Sequence, residues 1–94
     1  MPIFILSYDL IDENGSSADY QKLYDELDRL SAHRVQASLW LLKLNNTSKE
    51  VIDHFMGFAD ANDKFWVSSI SAAGNWFKNA NSGTNKWLQE NTPI

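Results

Sequence analysis

The chain has 94 residues, 44% of them hydrophobic, with no cysteine and a net charge of −4. That length suits one domain with a single core, and the missing cysteines exclude a disulfide framework or a thiolate metal site and fit a reducing compartment. The net charge argues against strong non-specific nucleic-acid binding, which depends on many Lys and Arg contacts to phosphate.

The charge is unevenly placed. Residues 1–31 carry seven acids against Lys22 and Arg29, whereas residues 32–94 carry six bases against five acids. A polyanion is therefore expected to approach the later half.

Ile3-Phe4-Ile5-Leu6 is a β-prone apolar run suited to a central strand, with Asp9 at its C-terminal end. It is too short for a signal-peptide core or a membrane span, so a cytoplasmic protein with no membrane partner is expected. Asp12-Glu13-Asn14-Gly15-Ser16-Ser17 is dense in turn formers, and either serine can cap the helix that follows. From Ala18 to Ala32 the apolar residues Tyr20, Leu23, Tyr24, Leu27 and Leu30 recur at helical spacing. Lys22 with Glu26, and Asp25 with Arg29, are i,i+4 pairs on the outer side.

Between Arg34 and Leu44 bulky residues predict a strand ending in a turn at Asn45-Asn46. Thr47-Ser48-Lys49-Glu50 has the spacing of a capping box, so a second helix starts near Ser48 and is closed by Asp60-Ala61-Asn62-Asp63. Phe65 to Ile70 reads as a further strand. Phe55, Phe58 and Trp66 are expected on the helix-facing side of the core. Residues 71–94 are rich in Asn, Gly and Ser yet keep Trp76, Phe77, Trp87 and Leu88, which suggests a packed appendage with a short helix from Asn85 to Gln89. The expectation is one domain over 1–94, its core over about 3–70. Its class is α+β, a ferredoxin-like βαββαβ antiparallel sheet with two helices on one face and a C-terminal appendage; the long second segment can bend into two strands.

Three segments carry a resemblance. The strand ending Tyr8-Asp9, the segment Arg34-Val35-Gln36-Ala37-Ser38-Leu39-Trp40, and the acidic turn Asp60-Ala61-Asn62-Asp63 before Phe65-Trp66-Val67 resemble the CRISPR-associated protein two family. The later part, with Gly83-Thr84-Asn85-Lys86-Trp87-Leu88, is similar to its stand-alone SinR relatives. The resemblance implies a ferredoxin-like homodimer in which Asp9 faces its twin across the dimer axis. Some members of the family are magnesium-dependent nucleases and others are scaffolds whose aspartate is dispensable. A related branch holds virulence-associated protein D, a toxin-type endoribonuclease. The loop after Asp9 departs from the nuclease pattern, since it holds Asp12 and Glu13 but no basic residue to meet phosphate.

Each candidate residue has a plainer alternative. Two Asp9 carboxylates at a dimer axis would need a shared proton or a bridging cation such as Mg²⁺, which could activate water for phosphodiester cleavage; alternatively Asp9 simply caps a loop amide. Arg34 is a contact for phosphate, or else an ion-pair partner for Asp9 if the first two strands are neighbours. The resemblance makes Ser38 a hydrogen-bond donor beside the site, although a serine on the solvent face of a strand is the commoner case. Tyr8, Arg34, Lys78 and Lys86 are the expected nucleic-acid contacts. Residues 74–87 interleave Lys78 and Lys86 with Trp76, Phe77 and asparagines and carry no acid, a pattern that can clamp single-stranded RNA or DNA; packing of the tryptophans on the sheet is the alternative. His33 and His54 show no triad spacing.

Two functions from different classes follow. The first is a nucleic-acid-associated homodimer with magnesium-dependent endoribonuclease activity at Asp9, assisted by Arg34 and Ser38. The second is a non-catalytic protein-binding module of bacterial or phage defence or counter-defence, presenting the acidic residues Asp19, Asp25, Glu26 and Asp28 to a basic partner.

Overall fold

The apolar run at the start of the chain becomes the strand on which every layer rests. The computed structural model describes residues 2–10, 18–59, 62–71 and 73–92. Along it run β1 (Ile3–Asp9), α1 (Ala18–Arg29), β2 (His33–Gln36), β3 (Leu39–Lys43), α2 (Ser48–Met56), β4 (Lys64–Ile70) and α3 (Thr84–Glu90). The four strands form one antiparallel sheet in the order β2-β3-β1-β4. The expected loop residues Asp12, Glu13, Ser16 and Ser17, and the helix stop at Asp60-Ala61, lie outside the described residues.

Side chains alternate across a strand, and on β1 both sets are apolar. Phe4, Leu6 and Tyr8 pack with Trp40 and Leu42 of β3 against Leu23 and Leu27 of α1 and Val51 and Phe55 of α2. Both long helices therefore cover one face. On the other face Ile3, Val35 and Leu41 form a smaller cluster, closed by Ala80, Trp87 and Leu88 from the C-terminal segment. Trp87 and Leu88 of the appendage thus pack under the sheet, whereas Trp76 and Phe77 stay exposed.

Several boundaries differ from the sequence expectation for identifiable reasons. α1 stops at Arg29 rather than Ala32 because Ser31 adopts a left-handed conformation (φ 57°). The Ser31 and Ala32 amides then donate back to the carbonyls of Asp28 and Leu27, a Schellman-type end. The Arg34–Leu44 segment is a hairpin turning at Ala37-Ser38, with a bulge between Arg34 and Gln36. α2 begins as expected: Thr47 Oγ1 accepts from the Glu50 amide at 3.1 Å and Glu50 returns a bond to the Thr47 amide at 2.9 Å.

Trp66 departs most clearly. It lies across from Ser7 on the face away from α1 and α2, and is 69% exposed instead of sitting in the helix-facing core. Phe65 and Val67, its neighbours, take the helix-facing positions.

The C-terminal segment also closes one edge of the sheet. The Asn81 amide donates to the Val35 carbonyl at 2.9 Å, and Asn81 Nδ2 to the Arg34 carbonyl at 3.1 Å, so the outer edge of β2 is covered. Gly83 opens α3 with φ 92°, where a side chain would be strained, and a Cβ there would lie 3.5 Å from His33 Cε1.

Thr84 Oγ1 donates to the Asn81 carbonyl at 2.7 Å and accepts from His33 Nε2 at 2.7 Å, while Trp87 Nε1 donates to the Ser31 carbonyl. Burial lowers the His33 pKa below its ordinary 6.5. A lowered histidine pKa means that the undocked state binds the proton more readily, so this contribution is complete above pH 6.5 and fades as the pH falls below it. Hydrogen exchange over residues 84–90, corrected for the intrinsic pH effect, should accelerate between pH 7.5 and 5.5. His33→Gln should flatten that dependence.

Candidate functional site

Asp9 ends β1 on the face carrying Ile3, Ile5 and Ser7, exposed to solvent and in register with Lys64 of β4. No described side chain hydrogen-bonds to it. An exposed pairing with Lys64 would contribute at most about 1 kcal/mol, so both groups stay available to a ligand.

Arg34 is not beside Asp9. β3 separates β2 from β1, and Arg34 pairs with Trp40 on the helix-covered face, opposite the face of Asp9. Its guanidinium donates to the Ala37 carbonyl from Nε at 2.9 Å and from Nη2 at 2.6 Å, and lies 5.1 Å from the Tyr24 ring centroid and 5.4 Å from that of Trp40. The expected ion pair between Asp9 and Arg34 is therefore absent, and Arg34 is committed to the hairpin turn. Two donors on one carbonyl and two aromatic faces hold a turn that has no Gly, Asn or Pro of its own.

Tyr8 belongs to the same assembly. Trp40 Nε1 donates to Tyr8 Oη at 2.9 Å, inside the core, and Arg34 Nη2 reaches it at 3.4 Å. Burial pushes the Tyr8 phenol above its ordinary pKa of 10.0, against the opposing pull of the Trp40 N–H and the Arg34 charge. It is a neutral structural hydroxyl at physiological pH. Ser38 occupies the turn itself, exposed; its carbonyl accepts from the Tyr8 amide at 3.1 Å. The Asp9 side chain thus lies on the face opposite those of Tyr8 and Arg34.

The face that Asp9 shares is the more open of the two. Register aligns Gln36, Leu39, Ser7 and Trp66 in one row across β2, β3, β1 and β4, with Leu41, Ile5 and Ser68 in the next. A hollow of about 400 Å³ lies between this face and residues 74–77, floored by Ile5, Leu39, Leu41 and Ile70. Trp76 and Phe77 stand at its rim, 95% and 42% exposed. The two tail tryptophans consequently divide: Trp87 packs against the sheet and Trp76 does not.

Both layers carry mixed charge, with Asp9 on the open face and Lys22, Arg29 and Lys49 on the two long helices. Lys43 pairs with Ile3 and Lys64 with Asp9 on the open face, and Lys78 follows Phe77 on the exposed tail. Lys86 lines a second hollow of about 340 Å³ that shares Phe77 with the first. On the other side α1 exposes Asp25 and Asp28, while α2 exposes Glu50 and Asp53, the latter paired to Lys49.

One cluster was not foreseen. Glu26, only 8% exposed, accepts Arg29 Nε at 2.6 Å and Arg29 Nη2 at 2.8 Å, and His54 Nε2 at 2.5 Å. The partner of Arg29 is therefore Glu26 at i+3 spacing, not Asp25, and Glu26 is withdrawn from the acidic helix surface. Arg29 foremost, then His54, overcome burial to pull the Glu26 carboxyl down to about 2. A hollow of about 310 Å³ beside the trio is lined by Arg29, Asn46, Glu50 and His54. With all three side chains satisfying one another, the trio pins α1 to α2. Sequence offered only half the signal, the Glu26/Arg29 spacing, because His54 arrives from another helix.

For magnesium the donor set at Asp9 is one carboxylate, and no three His, Cys, Asp or Glu side chains gather among the described residues. Magnesium takes few protein carboxylates, keeps waters and shares substrate phosphate oxygens; this chain alone supplies only the first, singly. No helix among the described residues is long and apolar enough to cross a membrane. No protein-family model and no solved structure matches the chain.

The Glu26 carboxylate carries a checkable consequence. Its folded pKa is depressed from 4.5 to about 2, so its contribution is complete above pH 4.5 and is lost as the pH falls toward 2. Glu26→Gln should cost about 1.5–3 kcal/mol at pH 7. In urea unfolding followed from pH 6 to pH 2, the variant should lose less stability than the wild type.

Proposed function

We propose that this chain is a single-stranded RNA-binding protein of ferredoxin-like topology that acts as a homodimer, with the RNA on the open face of its sheet. The observation that carries the proposal is the coincidence of exposed aromatics, Trp66, Trp76 and Phe77, with Lys43, Lys64 and Lys78 around one face of the sheet, whose strands add a single acid, Asp9. Single strands are held by stacking on aromatic side chains within a positive groove.

The ferredoxin-like assignment is supported by the β1-α1-β2-β3-α2-β4 order, with β3 between β1 and β2 and β1 between β3 and β4; α3 is an addition. Kinship with the CRISPR-associated protein two and SinR groups, and with it a role in antiviral defence, is proposed on the Tyr8-Asp9 and Arg34–Trp40 segments.

The dimer is proposed through β4. Among the described residues no strand lies beside its outer edge, whereas the β2 edge is covered by Asn81. β4 has seven residues in unbroken register with β1 and a single charge, Lys64, so it lacks the usual guards against pairing with another copy. Ser69→Lys places a charge on that edge. Light scattering should give twice the chain's 10.7 kDa for the wild type and the monomer mass for this variant; a wild-type monomer at every concentration would defeat the dimer.

Endoribonuclease activity is a second reading, favoured by the exposure of Asp9 on the proposed RNA face. Two copies would supply the second carboxylate for Mg²⁺.

Labelled single-stranded RNA should bind more tightly than duplex, and the slope of log affinity against log salt should be near −2, about 0.7 for each of three lysines. Replacing Lys43, Lys64 and Lys78 by Gln should abolish most of that slope. If the RNA is cut with magnesium but not with EDTA, and Asp9→Ala protein binds without cutting, Asp9 is catalytic. Equal cutting by wild type and variant assigns the cleavage elsewhere.

A further inference from the structure

The hollow beside residues 74–77 differs from the rest of the open face in being lined by both the sheet and the C-terminal segment. Ile5, Leu39, Leu41 and Ile70 make an apolar floor, Leu88 of α3 a side wall, and Trp76 and Phe77 the rim. At about 400 Å³ it is near the small end of the ~300–1,000 Å³ typical of ligand sites, a size for one heteroaromatic ring system rather than a peptide helix. Its polar groups are amides: Gln36 from the end of β2, and Asn75, whose Nδ2 is spent on the Ser71 carbonyl. The Asn75 Oδ1 is left to accept, and exposed Gln36 can both donate and accept.

Resting on the reading of this face as an RNA surface, we propose that this hollow is a base pocket, receiving one unstacked nucleobase of the strand. The base lies on the aliphatic floor and stacks against Trp76, and its edge meets Gln36 and Asn75. Trp76 is 95% exposed in a chain whose other tail tryptophan is packed, so its indole is free to close over the ring. Charge favours this occupant. The groups around the pocket are Lys43 on the sheet and Lys78 beside the rim, with Lys86 on the adjoining hollow, which suits a base carried on a phosphate backbone. The row from Gln36 to Trp66 crosses three strand spacings, roughly 14 Å, so a strand seated in the pocket can run along the row and offer another base to Trp66.

The experiment uses the full chain, short single-stranded RNA, and an abasic analogue with the same number of phosphates. Trp76→Ala is a surface change that leaves the core intact, and Gln36→Ala is the second variant. The pocket is supported if Trp76→Ala weakens base-bearing RNA by roughly 5- to 150-fold, the range of one lost aromatic–base stack, leaves the abasic analogue unchanged, and preserves the salt slope. Gln36→Ala should then change the preference among homopolymers. Equal affinity of wild-type protein for RNA and its abasic analogue, with Trp76→Ala silent, overturns the pocket while leaving the charged RNA surface standing. Absence of binding to either at low salt overturns the RNA surface and the pocket with it. If Trp76→Ala instead converts a dimer to a monomer in light scattering, the hollow is filled by a second copy and the pocket is overturned.

Discussion

The period-two alternation of β1 is the constraint on which the rest of the molecule depends. Because β1 is flanked by β3 and β4 and carries an apolar cluster on each face, each of its residues is assigned to one of two layers. Tyr8 and Asp9 are adjacent in sequence and belong to opposite sides. A shift of one residue in register would exchange the sets, burying Asp9 beneath the helices and exposing Phe4 and Leu6. The burial of Phe4, Leu6, Leu42 and Phe55 therefore also fixes where Asp9 can act.

The same constraint explains how much of the site could be read beforehand. The helices, the capping box at Thr47, the strands and the packed character of the tail were legible, because hydrophobic period and capping chemistry are local signals. The separation of Arg34 from Asp9 was not, because their proximity required β1 and β2 to be neighbours. Strand order is a long-range property. In this sheet β3 intervenes, and the hairpin that brings it there turns at Ala37-Ser38 without a Gly, Asn or Pro. Its signal was Arg34 itself, three residues before Ala37, whose guanidinium takes the place of turn chemistry by binding the Ala37 carbonyl. Trp66 was misplaced for a related reason: its size suggests core, but alternation along β4 gives the helix-facing positions to Phe65 and Val67.

Polar groups inside the helical layer follow a different logic. Glu26 is buried at an interface between two helices, where an uncompensated carboxylate would be costly. Arg29 and His54 compensate it from two directions, and only one of them shares its helix. An α1 read alone shows a row of acids. Placed against α2, one of those acids turns inward, which weakens any account in which the whole row is presented to a basic protein.

The C-terminal segment makes the two faces unequal. Without it, the second face of the sheet would expose Ile3, Val35 and Leu41, an apolar surface that a small domain does not leave to water. With α3 anchored by His33, Thr84 and Trp87, that surface is covered only from the β2 side. The cover runs out at residues 74–77, and beyond it Ser7, Asp9, Lys64 and Trp66 meet solvent. A segment whose sole task was to complete the core would bury its aromatics together; this one buries Trp87 and leaves Trp76 out. The same stretch therefore seals one half of the sheet face and frames an opening on the other. That division of labour places Trp66, Trp76 and Phe77 with Lys43 and Lys64 on one side of the sheet and both long helices on the other.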